Sequence, residues 1–188
     1  MKIVIVDCFD SFTYNLHHYL EEIAEVVHCI PYSDIDSIPF LEYDRIVFSP
    51  GPGHISEYPK IIEVLDRYKT TKSILGVCLG HQIIGAYFGS SLTNLQTVVH
   101  GVCRPATQTS FIDPIFNHLP TIIDTARYHS WAIQLKELSD SLIPTAIDNT
   151  LVMAFKHKEY NIRGVQFHPE SILTPEGKTI LKNWLNYC

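Results

Sequence analysis

Short apolar runs alternating with helical stretches constrain this chain more than any other feature. Lys2 to Val6, Val26 to Ile30, Arg45 to Phe48 and Ser73 to Val77 are largely β-branched segments of strand length. Between them, Phe12, Leu16, Tyr19, Leu20 and Ile23 share helical spacing behind a possible N-cap at Asp10 or Ser11. Pro59 opens a second such stretch through Ile61, Ile62, Val64, Leu65 and Tyr68, and His81 to Phe88 reads as a third helix closed by Gly89. This alternation predicts an α/β sandwich with a mostly parallel central sheet flanked by helices.

The second half reads differently. Thr97 to Gln108, Thr121 to Tyr128, Leu142 to Ile147 and Leu151 to His157 look like strands, the last two joined as a hairpin through Asp148 and Asn149. A smaller antiparallel extension is expected there. Thr174, Pro175 and Glu176 start a final helix whose apolar face is Ile180, Leu181, Trp184 and Leu185. The 188 residues, 46% hydrophobic and 18% charged, fit a single domain over residues 1–188.

Charge and cysteine usage exclude several function classes. A net charge of −6 without a Lys/Arg-rich run argues against a nucleic-acid partner. No segment approaches the roughly 20 apolar residues of a membrane span, so a cytoplasmic protein with no membrane partner is expected. The five cysteines, Cys8, Cys29, Cys78, Cys103 and Cys188, form no CxxC pair, which suggests free thiols. Metal is not expected either: there is no HExxH, and His17 and His18 should point to different sides of a helix.

Chemistry concentrates at Cys78. In Gly76-Val77-Cys78-Leu79-Gly80 the cysteine sits between a predicted strand and a predicted helix, the thiol counterpart of a G-x-S-x-G elbow. Flanking glycines permit a sharp turn that presents the sulfur outward, and the helix N-terminus favours its thiolate. The Leu79 amide is placed to donate to an oxyanion. A buried structural cysteine beside glycines needed for packing fits the same five residues.

A base and an orienting acid stand together in Val165-Gln166-Phe167-His168-Pro169-Glu170. Pro169 restricts His168 to extended geometry, where positions i and i+2 share a side, so Glu170 can fix the imidazole while its other nitrogen faces a thiol. A strand-end histidine beside a solvated glutamate is the alternative. Ser49-Pro50-Gly51-Pro52-Gly53 follows a strand end and can bring main-chain amides to a ligand, or it is a plain rigid turn.

With GVCLGHQ at 76–82, SPGPG at 49–53 and GVQFHPES at 164–171, the chain resembles the class I, or triad, glutamine amidotransferases. VDCFDSFTYNL at 6–16, His100-Gly101 and RYHS at 127–130 are similar to the small subunits of anthranilate synthase and aminodeoxychorismate synthase. The resemblance implies Cys78 as nucleophile, His168 as general base and acid, and Glu170 as the orienting carboxylate. It implies an oxyanion hole at Gly53 and Leu79, and a pocket for L-glutamine formed by Gly51, Pro52, Gly53, Gln82 and the main chain at Ser130 and Trp131.

No cofactor is implied. A chorismate-binding synthase subunit is implied as the partner that receives ammonia, for tryptophan or folate synthesis. Cys8 and Trp131 depart from the family pattern, where a polar Asn and a Leu are usual, and His54 reads as a surface histidine. A Cys-His-Glu hydrolase of another amide or γ-glutamyl bond and a catalytically silent regulatory subunit remain as alternatives.

Overall fold

The structure, a computed structural model, describes the backbone of residues 1–188 and the side chains of residues 1–95 and 101–188, so the side chain of His100 lies outside the described residues. Nine strands form one sheet in the order β2-β1-β3-β4-β9-β8-β7-β5-β6. Its parallel part is β1 (Lys2–Asp7), β2 (Val26–Pro31), β3 (Arg45–Phe48), β4 (Ser73–Val77) and β9 (Ile162–Val165). Its antiparallel part is β8 (Leu151–His157), β7 (Leu142–Asp148), β5 (Leu92–Gln108) and β6 (Ile122–Ile133). The extension therefore continues the same sheet, joined to the parallel part at β9.

Strand alternation sends apolar side chains to both faces. Val4, Val6, Ile46 and Phe48 pack against α2 (Pro59–Tyr68) and α3 (Leu79–Tyr87) through Ile61, Leu65, Ile83 and Ile84. Ile3, Ile5, Val47 and Leu75 meet α1 (Thr13–Glu21) and α4 (Gly177–Tyr187) through Leu16, Leu20, Ile180 and Trp184 on the other face. Among the described residues, no helix is long and apolar enough to cross a membrane.

Several expected local features take another form. Asp10 accepts from the Phe12 N–H at 2.8 Å, one residue ahead of a helix that starts at Thr13 without a side-chain cap. Helix α4 begins at Gly177, because the Thr174 hydroxyl is engaged elsewhere, donating to the His168 carbonyl at 2.7 Å. Strand β6 runs on to Ile133, which places Ser130 and Trp131 inside a strand. Strand β9 has no counterpart in the sequence reading, and it carries the site's second half.

Candidate active site

Three neighbouring parallel strands end at the same edge, and each hands its next residues to one cluster. Strand β3 leads into Ser49-Pro50-Gly51-Pro52-Gly53, β4 into Cys78, and β9 into Gln166-Phe167-His168. The C-terminal edge of a parallel sheet is where loops and helix N-termini open a crevice.

Cys78 has φ 50° and ψ −97° at the N-cap of α3. A side chain in that region costs about 1–3 kcal/mol and persists only when its surroundings over-determine it. Here the Cys78 N–H donates to the Val165 carbonyl at 2.8 Å, and the Cys78 carbonyl accepts from the Gln82 N–H at 3.1 Å. A β-carbon on Gly76 would overlap the Gly80 backbone, and one on Gly80 would overlap the Phe48 carbonyl. Both glycines are thus required by close approach, and the strained turn lies between them.

His168 Nδ1 is 2.6 Å from Glu170 Oε1, with both side chains buried. The two meet through a turn, not through the extended pair expected from sequence. The Ser171 N–H donates to the His168 carbonyl at 3.2 Å, and Pro169 takes the second position that favours its fixed φ. The turn is held from outside: the His168 N–H donates to the Ala126 carbonyl at 3.1 Å, and Thr174 links the His168 carbonyl to the Ala126 N–H. The ring of Tyr128 packs edge-on to the imidazole at 4.9 Å, with Phe12 at 6.0 Å.

The His168 pKa is raised well above its ordinary value: burial pulls it down, and negative charge at Cys78, then hydrogen bonding and charge at Glu170, outweighs it. His168 Nε2 has no hydrogen-bond partner of standard geometry, so Cys78 acts on the ring chiefly through charge.

A cavity of about 140 Å³ opens in front of Cys78, bordered by Gly51, Pro52, Gly53, Leu79, Gln82, Ser130 and Trp131. The expected ligand-binding positions are therefore gathered around one space. Gly53 has φ 79°, and the Glu57 carboxylate occupies the place a β-carbon there would take. Gln82 Nε2 donates to the Trp131 carbonyl at 2.8 Å.

Tyr128 and His129, to which the motifs assign no role, also border the cavity. His129 Nδ1 lies 3.0 Å from the same Trp131 carbonyl, and burial followed by the nearby Arg127 charge pushes its pKa down to about 4. The ring is neutral, and because a carbonyl can only accept, Nδ1 carries its proton. Arg127 itself points into a buried ion pair with Asp148 at 3.2 Å.

Cys8, a departure from the family pattern, is fully buried beneath Gly51, and burial pushes its thiol up to about 12. All five cysteines are free. Among the described residues, the one group of three potential metal ligands is His17, His18 and Glu21 on α1. The two rings do not diverge as expected: each places Nδ1 3.3 Å from Glu21 Oε2, because Glu21 lies three and four residues on along the helix.

Residues 4–187 match the family described as glutamine amidotransferase class-I. The chain is 39% identical over 191 residues to the anthranilate synthase component 2 of Thermus thermophilus, covering 98% of this chain and 92% of the relative. It is 41% identical over 189 residues to the multifunctional tryptophan biosynthesis protein of Pichia angusta, covering 98% of this chain and 51% of that longer one. A solved structure from Thermoplasma acidophilum, provisionally named as part of a GMP synthase, is 29% identical with a TM-score of 0.87, over 98% of this chain and 92% of the other.

Proposed function

The chain belongs to the class-I glutamine amidotransferase family, and from that membership we propose that residues 1–188 act as the glutaminase domain of anthranilate synthase or aminodeoxychorismate synthase. The observation that carries this reading is the buried His168–Glu170 pair at 2.6 Å, whose imidazole has its pKa raised by the charge at Cys78, which borders the cavity. An imidazole held in this way can keep a proton next to a thiolate and return it later.

In the proposed cycle, the Cys78 sulfur attacks the carboxamide carbon of glutamine and the carbonyl electrons move to oxygen. Main-chain N–H groups at Gly53 and Leu79 hold that oxyanion. As it collapses, the carbon–nitrogen bond breaks, His168 protonates the leaving nitrogen, and ammonia departs from a glutamyl thioester. Water, deprotonated by His168, attacks the thioester, and glutamate and the thiolate are released. Glu170 keeps the imidazole in the required tautomer throughout. Gly51, Pro52, Gln82, Ser130 and Trp131 border the space assigned to glutamine's amino-acid end.

Ammonia then passes to a chorismate-binding synthase subunit. The name of the Thermus relative supports anthranilate as the product, and the longer Pichia relative shows that a sequence like this one can be fused to further biosynthetic parts.

Reconstituting the chain with a synthase subunit tests the reading. Cys78→Ala should lower glutamine-dependent synthesis by roughly 10⁴- to 10⁶-fold, whereas synthesis from ammonium salt continues. Loss of both activities together would make Cys78 structural, and retention of both would remove it from the chemistry.

A further inference from the structure

Gln166 takes no part in the cycle above, yet it touches the proposed nucleophile directly. We infer that Gln166 is a positioning residue for Cys78: its amide nitrogen donates a hydrogen bond to the sulfur and holds it as a thiolate facing the cavity. The inference rests on the reading of Cys78 as nucleophile and deepens it.

Sheet register brings the two residues together. Strands β4 and β9 run parallel with Gly76 opposite Gly164 and Val77 opposite Val165, so continuing the ladder by one residue sets Cys78 beside Gln166. Their backbones are fastened in turn, the Cys78 N–H to the Val165 carbonyl and the Gln166 N–H to the Met153 carbonyl, each at 2.8 Å. Gln166 Nε2 then lies 3.7 Å from Cys78 Sγ.

The hydrogen-bond network settles which end of the Gln166 amide meets the sulfur. The Trp131 carbonyl can only accept, so the Gln82 atom 2.8 Å from it is the nitrogen. That nitrogen also lies 3.3 Å from Gln166, which must therefore present Oε1 to it. The Gln166 nitrogen is left to face Cys78. Turning the amide over would set nitrogen against nitrogen and oxygen against a thiolate.

Burial gives the contact its weight. Gln166 has no exposed surface and Cys78 is 5% exposed, so water cannot readily replace the donor, and a hydrogen bond to a charged acceptor is stronger than a neutral one. His168 contributes charge on the imidazole side, and Gln166 contributes a directed donor from the end of β9. The same two amides also join the sulfur to the cavity wall at Trp131.

The test compares the native chain with Gln166→Met, which keeps length without a donor, and Gln166→Glu, which keeps shape and replaces the donor by an acceptor. Iodoacetamide alkylation of Cys78, followed by peptide mass spectrometry from about pH 5 to about pH 10, reports the thiolate directly. The midpoint should rise by about one pH unit in the Met variant, making alkylation about tenfold slower at pH values well below the native midpoint, and by at least as much in the Glu variant. Turnover should fall about tenfold or more with the KM for glutamine changed less than about threefold.

A purely structural role would lower thermal stability and leave the midpoint in place. A folded Met variant with the native midpoint would overturn the inference, and if that variant does not fold, the same result in the Glu variant does so. Glutamine protection of native Cys78 tests the reading beneath it: without protection, the nucleophile assignment fails whatever Gln166 does.

Discussion

The imidazole of His54 stands edge-on to the indole of Trp131, with ring centroids 5.0 Å apart. This contact joins the loop after β3 to the opposite wall of the cavity, so His54 is not the plain surface histidine its sequence position suggests. The His54 N–H also donates to Glu57 at 2.7 Å, which anchors the loop from behind.

An aromatic pair of this kind contributes about 0.5–1.5 kcal/mol. Trp131→Leu, which restores the residue usual in the family, should therefore release the loop carrying Gly53 and raise the KM for glutamine about two- to tenfold. Steady-state glutaminase kinetics of the complex check this, and an unchanged KM would show that the rings do not hold the loop.

Glu170→Gln preserves shape while removing the charge 2.6 Å from His168. Burial, already the largest influence on that imidazole, would then act with less opposition and lower its pKa. Glutamine hydrolysis should drop by roughly 10³- to 10⁴-fold, as when the acid of a triad loses its charge. A variant within about threefold of native activity would mean that Glu170 does not orient the base.

His81, fully buried against Phe155 with ring centroids 4.5 Å apart, has its pKa pushed down to about 3 by burial. An unfolded histidine titrates near pH ~6.5. Between about 6.5 and 3 the unfolded chain binds a proton that the folded chain refuses, so stability falls with falling pH, by up to ~1.4 kcal/mol per pH unit. His129, at about 4, adds a similar loss down to that value. His168, with its raised pKa, acts oppositely: its contribution is complete below the ordinary histidine value and is lost as pH rises through the folded one. Urea unfolding of His81→Leu at several pH values should show the acid slope reduced by ~1.4 kcal/mol per unit, and an unaltered slope would reject the assignment.

The parallel framework is legible because β1 to β4 are apolar runs, with helix α1 between β1 and β2 and the amphipathic helix α2 between β3 and β4. Strand β9 is not, because Ile162–Val165 is four residues long and contains Arg163, a residue that seldom signals a buried strand. Its guanidinium is neutralised by Asp113 at 2.8 Å, a partner remote in sequence. Without β9, the residue pattern could propose a cysteine and a histidine but not bring them together, and the family motif supplied that step.

The turn after His168, where the residue pattern favours extended backbone, is hidden from the sequence for a related reason. Its geometry comes from Ser171, and its support from Thr174 and Ala126, which no spacing rule connects. Gln166 carries no signal in the sequence because an amide has no titration to mark it; its place beside Cys78 follows from a ladder that only the folded sheet contains.

Strand β9 lies between β4 and β8 in the sheet but follows both in the chain, so a growing polypeptide carries the Cys78 sulfur long before the His168 imidazole has been made. The strand that completes the ladder comes from late in the chain, and distant parallel pairings are slow to form. Onset of turnover is therefore tied to closure of that seam. During refolding, glutaminase activity should emerge with the last structural phase, and activity preceding that phase would break the link.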